Sequence, residues 1–117
     1  MALEHVAPGR VVALTSWGEP QTQALVKARH FEALRVWLEA GKQLPEHKVH
    51  GAVTVQCISG RAKFSSGGST EIMVAGDWLH LEGGTLHTVH ALTNSVLLVM
   101  ILLTPPQAPA DSIRPTP

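Results

Sequence analysis

A chain of 117 residues, 44% of them apolar, is long enough for one domain with a buried core and too apolar to stay disordered. Nine basic and nine acidic residues give a formal net charge of zero, so there is no basic surplus to neutralise phosphates and nucleic-acid binding is not expected. A single cysteine, Cys57, excludes a disulfide framework within the chain and makes a reducing cytoplasm the expected compartment.

Residues 1–10 have the look of a flexible N-terminal arm, without the charged start and apolar stretch of a secretory leader. Val11 to Leu14 is a short apolar run, stopped by the turn residues of 16–20. Residues 22–27 form a candidate strand. The stretch His30 to Ala40 is open between two readings: its helix formers end at Gly41, yet Leu34, Val36, Leu38 and Ala40 alternate with Ala33, Arg35, Trp37 and Glu39 as in a half-buried strand. Residues 52–58 are β-branched and end at Ser59-Gly60. Residues 61–66 and 69–74 flank Gly67-Gly68, whose glycines supply the positive φ of a tight hairpin turn. Further short strands are expected at 78–81, 86–91 and 95–103, divided by Glu82-Gly83-Gly84 and Thr93-Asn94. The apolar run 96–103 is far short of the roughly 20 residues a membrane helix needs, and no membrane partner is expected. Many short strands separated by glycine turns predict an all-β sandwich or barrel. Five of the eight prolines fall in 105–117, which predicts an extended, mobile tail.

Five of the seven histidines (47, 50, 80, 87 and 90) fall in two glycine-punctuated segments, 41–60 and 76–90. Neutral imidazole is the commonest protein metal ligand and a proton carrier near neutral pH, so this clustering marks a candidate site. In the first segment Gly41 is followed by five residues and His47, with Gly60 closing it. In the second, Gly76, Gly84 and His87 stand in register.

Over about residues 30–104 this pattern resembles a small, single-domain cupin. The cupin first motif is Gly, five residues, His-x-His, three or four residues, Glu, six residues, Gly. The second is Gly, five residues, Pro-x-Gly, two residues, His, three residues, Asn. The resemblance implies a small double-stranded β-helix, or jelly-roll barrel, spanning 11–104, with His30 to Ala40 as a strand. It also shows where the chain departs: the second histidine position is Val49, the glutamate Val53, the proline Glu82 and the asparagine Ala91, with Asn94 nearby. Of the usual metal ligands, His47 and His87 are in place.

The candidate metal ligands are therefore His47 and His87, with His50 completing the set if the chain before Gly51 is a loop that lets it swing inward. Gln56 has the opposite parity to Val53, Val55 and Cys57 and is expected to face away; His90 is likewise expected to point outward from His87. Glu46 is a candidate base at the rim. Trp37 and Trp78 read as barrel wall or dimer contact. The expected pocket lining is Val49, Val53, Val55, Leu86 and Val89, an apolar cavity with imidazole anchors.

Two function classes fit. The first, which the resemblance implies, is a metal-dependent enzyme of the dioxygenase, isomerase or decarboxylase type, using Fe, Ni, Mn or Zn on a small organic molecule. The second is a non-catalytic small-molecule-binding barrel with an incomplete or absent metal site, which the loss of the glutamate favours. The resemblance also implies a homodimer, across which Val96 to Leu103 and Val11 to Leu14 could pair.

Overall fold

The structure is a computed structural model that describes residues 5–16, 21–47 and 49–103, with the backbone alone for 45–47. The tail at 105–117, residues 1–4 of the arm and most of the turn before Gln21 lie outside the described residues. Among the described residues nine strands follow in chain order: β1 Thr22–Lys27, β2 Phe31–Leu38, β3 Gln43–His47, β4 Val53–Ser59, β5 Arg61–Ser66, β6 Ser69–Val74, β7 Trp78–Leu81, β8 His87–Ala91 and β9 Ser95–Leu102. They build two antiparallel sheets, one of five strands in the order β1-β2-β9-β4-β7 and one of four in the order β3-β8-β5-β6. The domain is all-β, a jelly-roll sandwich. No helix among the described residues is long and apolar enough to cross a membrane.

The core follows from two-residue periodicity on facing strands. In the five-stranded sheet the register sets Thr22, Val36, Leu97 and Cys57 abreast, and two residues along Ala24, Leu34, Val99 and Val55. In the four-stranded sheet Leu44, Val89 and Phe64 stand abreast. Val36, Val55, Cys57, Phe64, Val89 and Leu97 belong to one buried cluster between the layers. Each fully buried side chain of this kind contributes about 1.5–3 kcal/mol relative to exposure, before entropy is charged.

Within residues 30–40, Phe31–Leu38 form a strand, β2, but one buried on both faces. Leu34 and Val36 face the interior. On the outer face Arg35 and Trp37 are covered by the N-terminal segment, to which Arg35 Nη1 donates at the Ala13 carbonyl (2.8 Å) and Trp37 Nε1 at the Ser16 carbonyl (2.7 Å). Gln23 Oε1 accepts from Arg35 Nε and Nη2 at 3.2 and 2.7 Å, and the Val6 amide donates to the Leu25 carbonyl of β1 at 2.7 Å. From Val6 onward the arm is a strap across the sheet.

The apolar run Val11 to Leu14 has irregular backbone, and Val11 is 98% exposed. β9 is hydrogen-bonded by β2 on one side and β4 on the other, so it has no free edge to pair across a dimer. The segment after Gly41 contains β3, whose amides and carbonyls complete the ladder of β8.

Candidate functional site

A cavity of about 190 Å3 lies between the sheets. The five-stranded sheet contributes Leu34, Val36, Val53, Val55, Leu97, Val99 and Ile101, with Thr22 at its end. The four-stranded sheet contributes Leu44, Phe64, His87 and Val89, and Val49 enters from the loop between β3 and β4. Alternation on each strand puts these residues on the inner faces, so the cavity is a direct product of the two-residue period. Among the described residues that line it, His87 and Thr22 are the polar ones.

His87 is 5% exposed. Its ring stacks on Phe64 with centroids 5.5 Å apart and planes 12° from parallel, and Nδ1 lies 3.0 Å from the Thr85 carbonyl oxygen. A carbonyl oxygen only accepts, so this hydrogen bond places the proton on Nδ1 and, in the neutral ring, leaves Nε2 the acceptor nitrogen. Such a bond orients a histidine in the way a ligand-binding or metal-binding imidazole is usually oriented.

Across the β3–β8 ladder the register pairs His47 with His87, past an irregularity between Leu44 and His47. The backbone thus brings the two histidines of the motifs opposite each other; the side chains of His47 and of Glu46 lie outside the described residues. His50 is exposed in the bend before β4 and is absent from the cavity wall, where its neighbour Val49 takes the inward place. The turn at residues 83–84 closes on this bend. The Gly84 amide donates to the Val49 carbonyl at 2.8 Å, and a Cβ at Gly83 would run into the His50 carbonyl oxygen. Only glycine permits that approach, which seats Val49.

Of the residues expected to line the pocket, Val49, Val53, Val55 and Val89 do so. Leu86 does not. It lies just before β8, is 47% exposed, and borders a shallow outer depression with Ser65 and Gly67. The lining missed from sequence comes mainly from β2 and β9, through Leu34, Leu97, Val99 and Ile101, and from Phe64, the partner of His87. Strand alternation in 31–38 and 95–102 carried that signal. His90 and Gln56 have the outward parity, and His80 is exposed beside Trp78, ring centroids 5.7 Å apart. Asn94 accepts from the Ala40 amide through Oδ1 at 2.8 Å and so braces a turn.

The described residues do not fit the metal centre of the cupin motifs. Val53, 3% exposed, stands at the glutamate position and Val49 at the second histidine. No group of three His, Cys, Asp or Glu side chains among the described residues is placed to hold a metal ion. Cys57 is fully buried, and burial, with the Asp77 charge adding to it, pushes its thiol above the usual range, against a nucleophilic role.

No family model matches the chain, and no curated protein matches it. Solved structures do. A conserved protein of unknown function from Streptococcus pyogenes superposes with a TM-score of 0.75 at 19% identity, covering 92% of this chain and 97% of that one. A cupin superfamily protein from Desulfitobacterium hafniense gives 0.75 at 16% identity, covering 89% and 100%. The salicylate 1,2-dioxygenase from Pseudoaminobacter salicylatoxidans gives 0.60 at 18% identity, covering 62% of this chain and 21% of the enzyme. These likenesses show the fold: the chain is a small cupin-type barrel, an architecture that uncharacterised proteins and enzymes share.

Proposed function

We propose that the protein binds a small organic molecule between its sheets, without catalysing its conversion. One observation carries this reading: the described residues of the cavity wall are mostly aliphatic, with Val53 and Val49 where the cupin motifs place a carboxylate and an imidazole. A well-formed apolar pocket with one or two polar anchors is the usual form of a small-molecule site, and roughly 150 Å3 of apolar space already accommodates a benzene ring. His87, oriented by Thr85 and stacked on Phe64, is the polar anchor. Homodimerisation and a cytoplasmic location remain part of the proposal; the buried free thiol of Cys57 supports the latter.

The test is a thermal-shift screen with monocyclic and bicyclic ligands, repeated on Val55→Phe, which fills the cavity from β4. Ligands that raise the Tm of the wild type in a concentration-dependent manner and leave the variant unmoved support the reading. A well-folded wild type that responds to none of them overturns it.

A metal-dependent enzyme is the second reading, favoured by the pairing of His47 with His87 in the β3–β8 ladder. Fe, Ni, Mn or Zn would supply Lewis-acid or redox chemistry to a small substrate. His50 would need to leave its exposed position to join them. Elemental mass spectrometry on protein purified without chelator tests this: near-stoichiometric metal, lost in both His47→Ala and His87→Ala, supports it, and a wild type still empty after loading with each metal overturns it.

A further inference from the structure

An antiparallel sheet commonly turns one face to the core and a polar, charged face to water. The four-stranded sheet does so: alternating with buried Ala62 and Phe64, β5 presents exposed Arg61 and Lys63. The five-stranded sheet differs. Val53 and Val55 of β4 and Leu97 and Val99 of β9 line the cavity, so the residues between them face outward. The pairing of β9, β4 and β7 sets these in two rows, Leu98 with Gln56 and Trp78, then Met100 with Thr54 and His80. Leu102 continues the outer face at the end of β9. None of these residues is a lysine, arginine, aspartate or glutamate. Leu98 and Met100 are half-buried, while Trp78 is 58% and Leu102 47% exposed. The neighbouring half of the same outer face is covered by the chain itself: the N-terminal strap bonds to Arg35 and Trp37 of β2, and Arg35 stands abreast of Leu98.

We infer that the outer face of β9, β4 and β7 is the surface through which two copies of this chain associate. This rests on the homodimer reading above, gives it a surface, and is independent of what the cavity binds. In this arrangement β9 contributes a face and not an edge. Charge decides for a second copy. In a twofold interface the same patch meets itself, so a charge near the axis is set against its like. A patch without lysine, arginine or acid avoids that repulsion, and a chain of zero formal net charge approaches its copy without long-range repulsion. The exposed indole of Trp78 is the kind of large aromatic side chain that anchors protein interfaces. Residues 105–117 are poorly suited to cover such a face, with five prolines and one large aliphatic side chain, Ile113.

The test is gel filtration with light scattering on the full chain, from low to high micromolar concentration at neutral pH. Wild type is expected to reach dimer mass within this range. Trp78→Glu and Leu102→Lys each place a charge on the face at an exposed position, where the barrel tolerates it; circular dichroism and Tm check the fold. Each is expected to weaken association by at least about tenfold, whereas Lys63→Glu, on the outer face of the other sheet, leaves it unchanged. The two face variants sit on different strands, so if one fails to fold the other carries the test. A dimer that a folded face variant retains at wild-type strength, or that Lys63→Glu weakens equally, overturns the inference while leaving the homodimer reading standing. A wild type that is monomeric throughout overturns both, and means that the face is solvated or is covered by residues 105–117 or by a different protein. The thermal-shift response to cavity ligands, read on the same variants, is expected to be unmoved and keeps the binding reading separate from either outcome.

Discussion

The imidazole of His87 and the ring of Phe64 are stacked, 5.5 Å between centroids and 12° from parallel, on adjacent strands β8 and β5. Phe64 is 2% exposed and His87 5%, so the pair forms a rigid part of the cavity wall. Phe64 holds the imidazole by its face and Thr85 holds it by Nδ1, which together leave one orientation.

Phe64→Ala is expected to lower stability by about 3–5 kcal/mol, since it removes a buried aromatic ring and enlarges a cavity already present. Phe64→Leu retains much of the volume and costs less. Urea denaturation of the three proteins measures the order, and equal stabilities would mean the ring is not packed as described.

The strap over the outer sheet face depends on Arg35. Burial pulls its guanidinium below the usual arginine value, yet it stays charged at any working pH. Arg35→Met keeps the stem but loses the bonds to Gln23 and Ala13, and should destabilise by about 1–3 kcal/mol. Trypsin cleavage after Arg10 should accelerate in the variant, as the strap detaches more often than the barrel unfolds. An unchanged cleavage rate would show that Arg35 does not retain the strap.

Gly60, between β4 and β5, has φ of +87°, and a Cβ there would run into the Asn94 carbonyl oxygen and Ser95. Gly67, in the β5–β6 hairpin, has φ of +54° and open space around it. Gly67→Ala should cost about 1 kcal/mol, from backbone strain alone. Gly60→Ala should cost about 3 kcal/mol or more, because strain and steric overlap add. Paired denaturation curves check the difference.

The raised thiol pKa of Cys57 links stability to alkaline pH. The folded chain holds the proton more tightly than the unfolded chain, so this contribution is fully present below the ordinary thiol range and is lost as pH rises through it toward the folded value. Cys57→Ala should remove that part of the alkaline decline while lowering stability at neutral pH by about 1–2 kcal/mol, from the small void left in the core. Stability measured between pH 7 and 10 compares the slopes. Alkylation of the native thiol should be slow, limited by opening of the core.

Much of the barrel was legible as local pattern. The hairpin at 61–74 is a case where paired glycines and flanking strands left one solution, and the resemblance carried by Gly41, His47, Gly76, Gly84 and His87 implied the barrel and an inward His87, which lines the cavity. Leu86 was misplaced because one residue decides which side of a strand faces inward: it stands one residue before inward His87, Val89 and Ala91, and the same alternation turns it outward. His50 followed the same rule: next to inward Val49, it is exposed.

What the chain determined by itself is what short-range chemistry controls: the strand segments, the glycine turns, the inner and outer faces of each strand, and the absence of a carboxylate at position 53. What only the tertiary structure decided depends on residues distant in sequence. β3 is a strand because β8 supplies its ladder; Arg35 and Trp37 are buried because residues 6–16 cross over them; and the cavity exists because β2 and β9 of one sheet face β5 and β8 of the other. A strand's own period tells which side chains share a face, while the partner across that face is set by the packing of the two sheets.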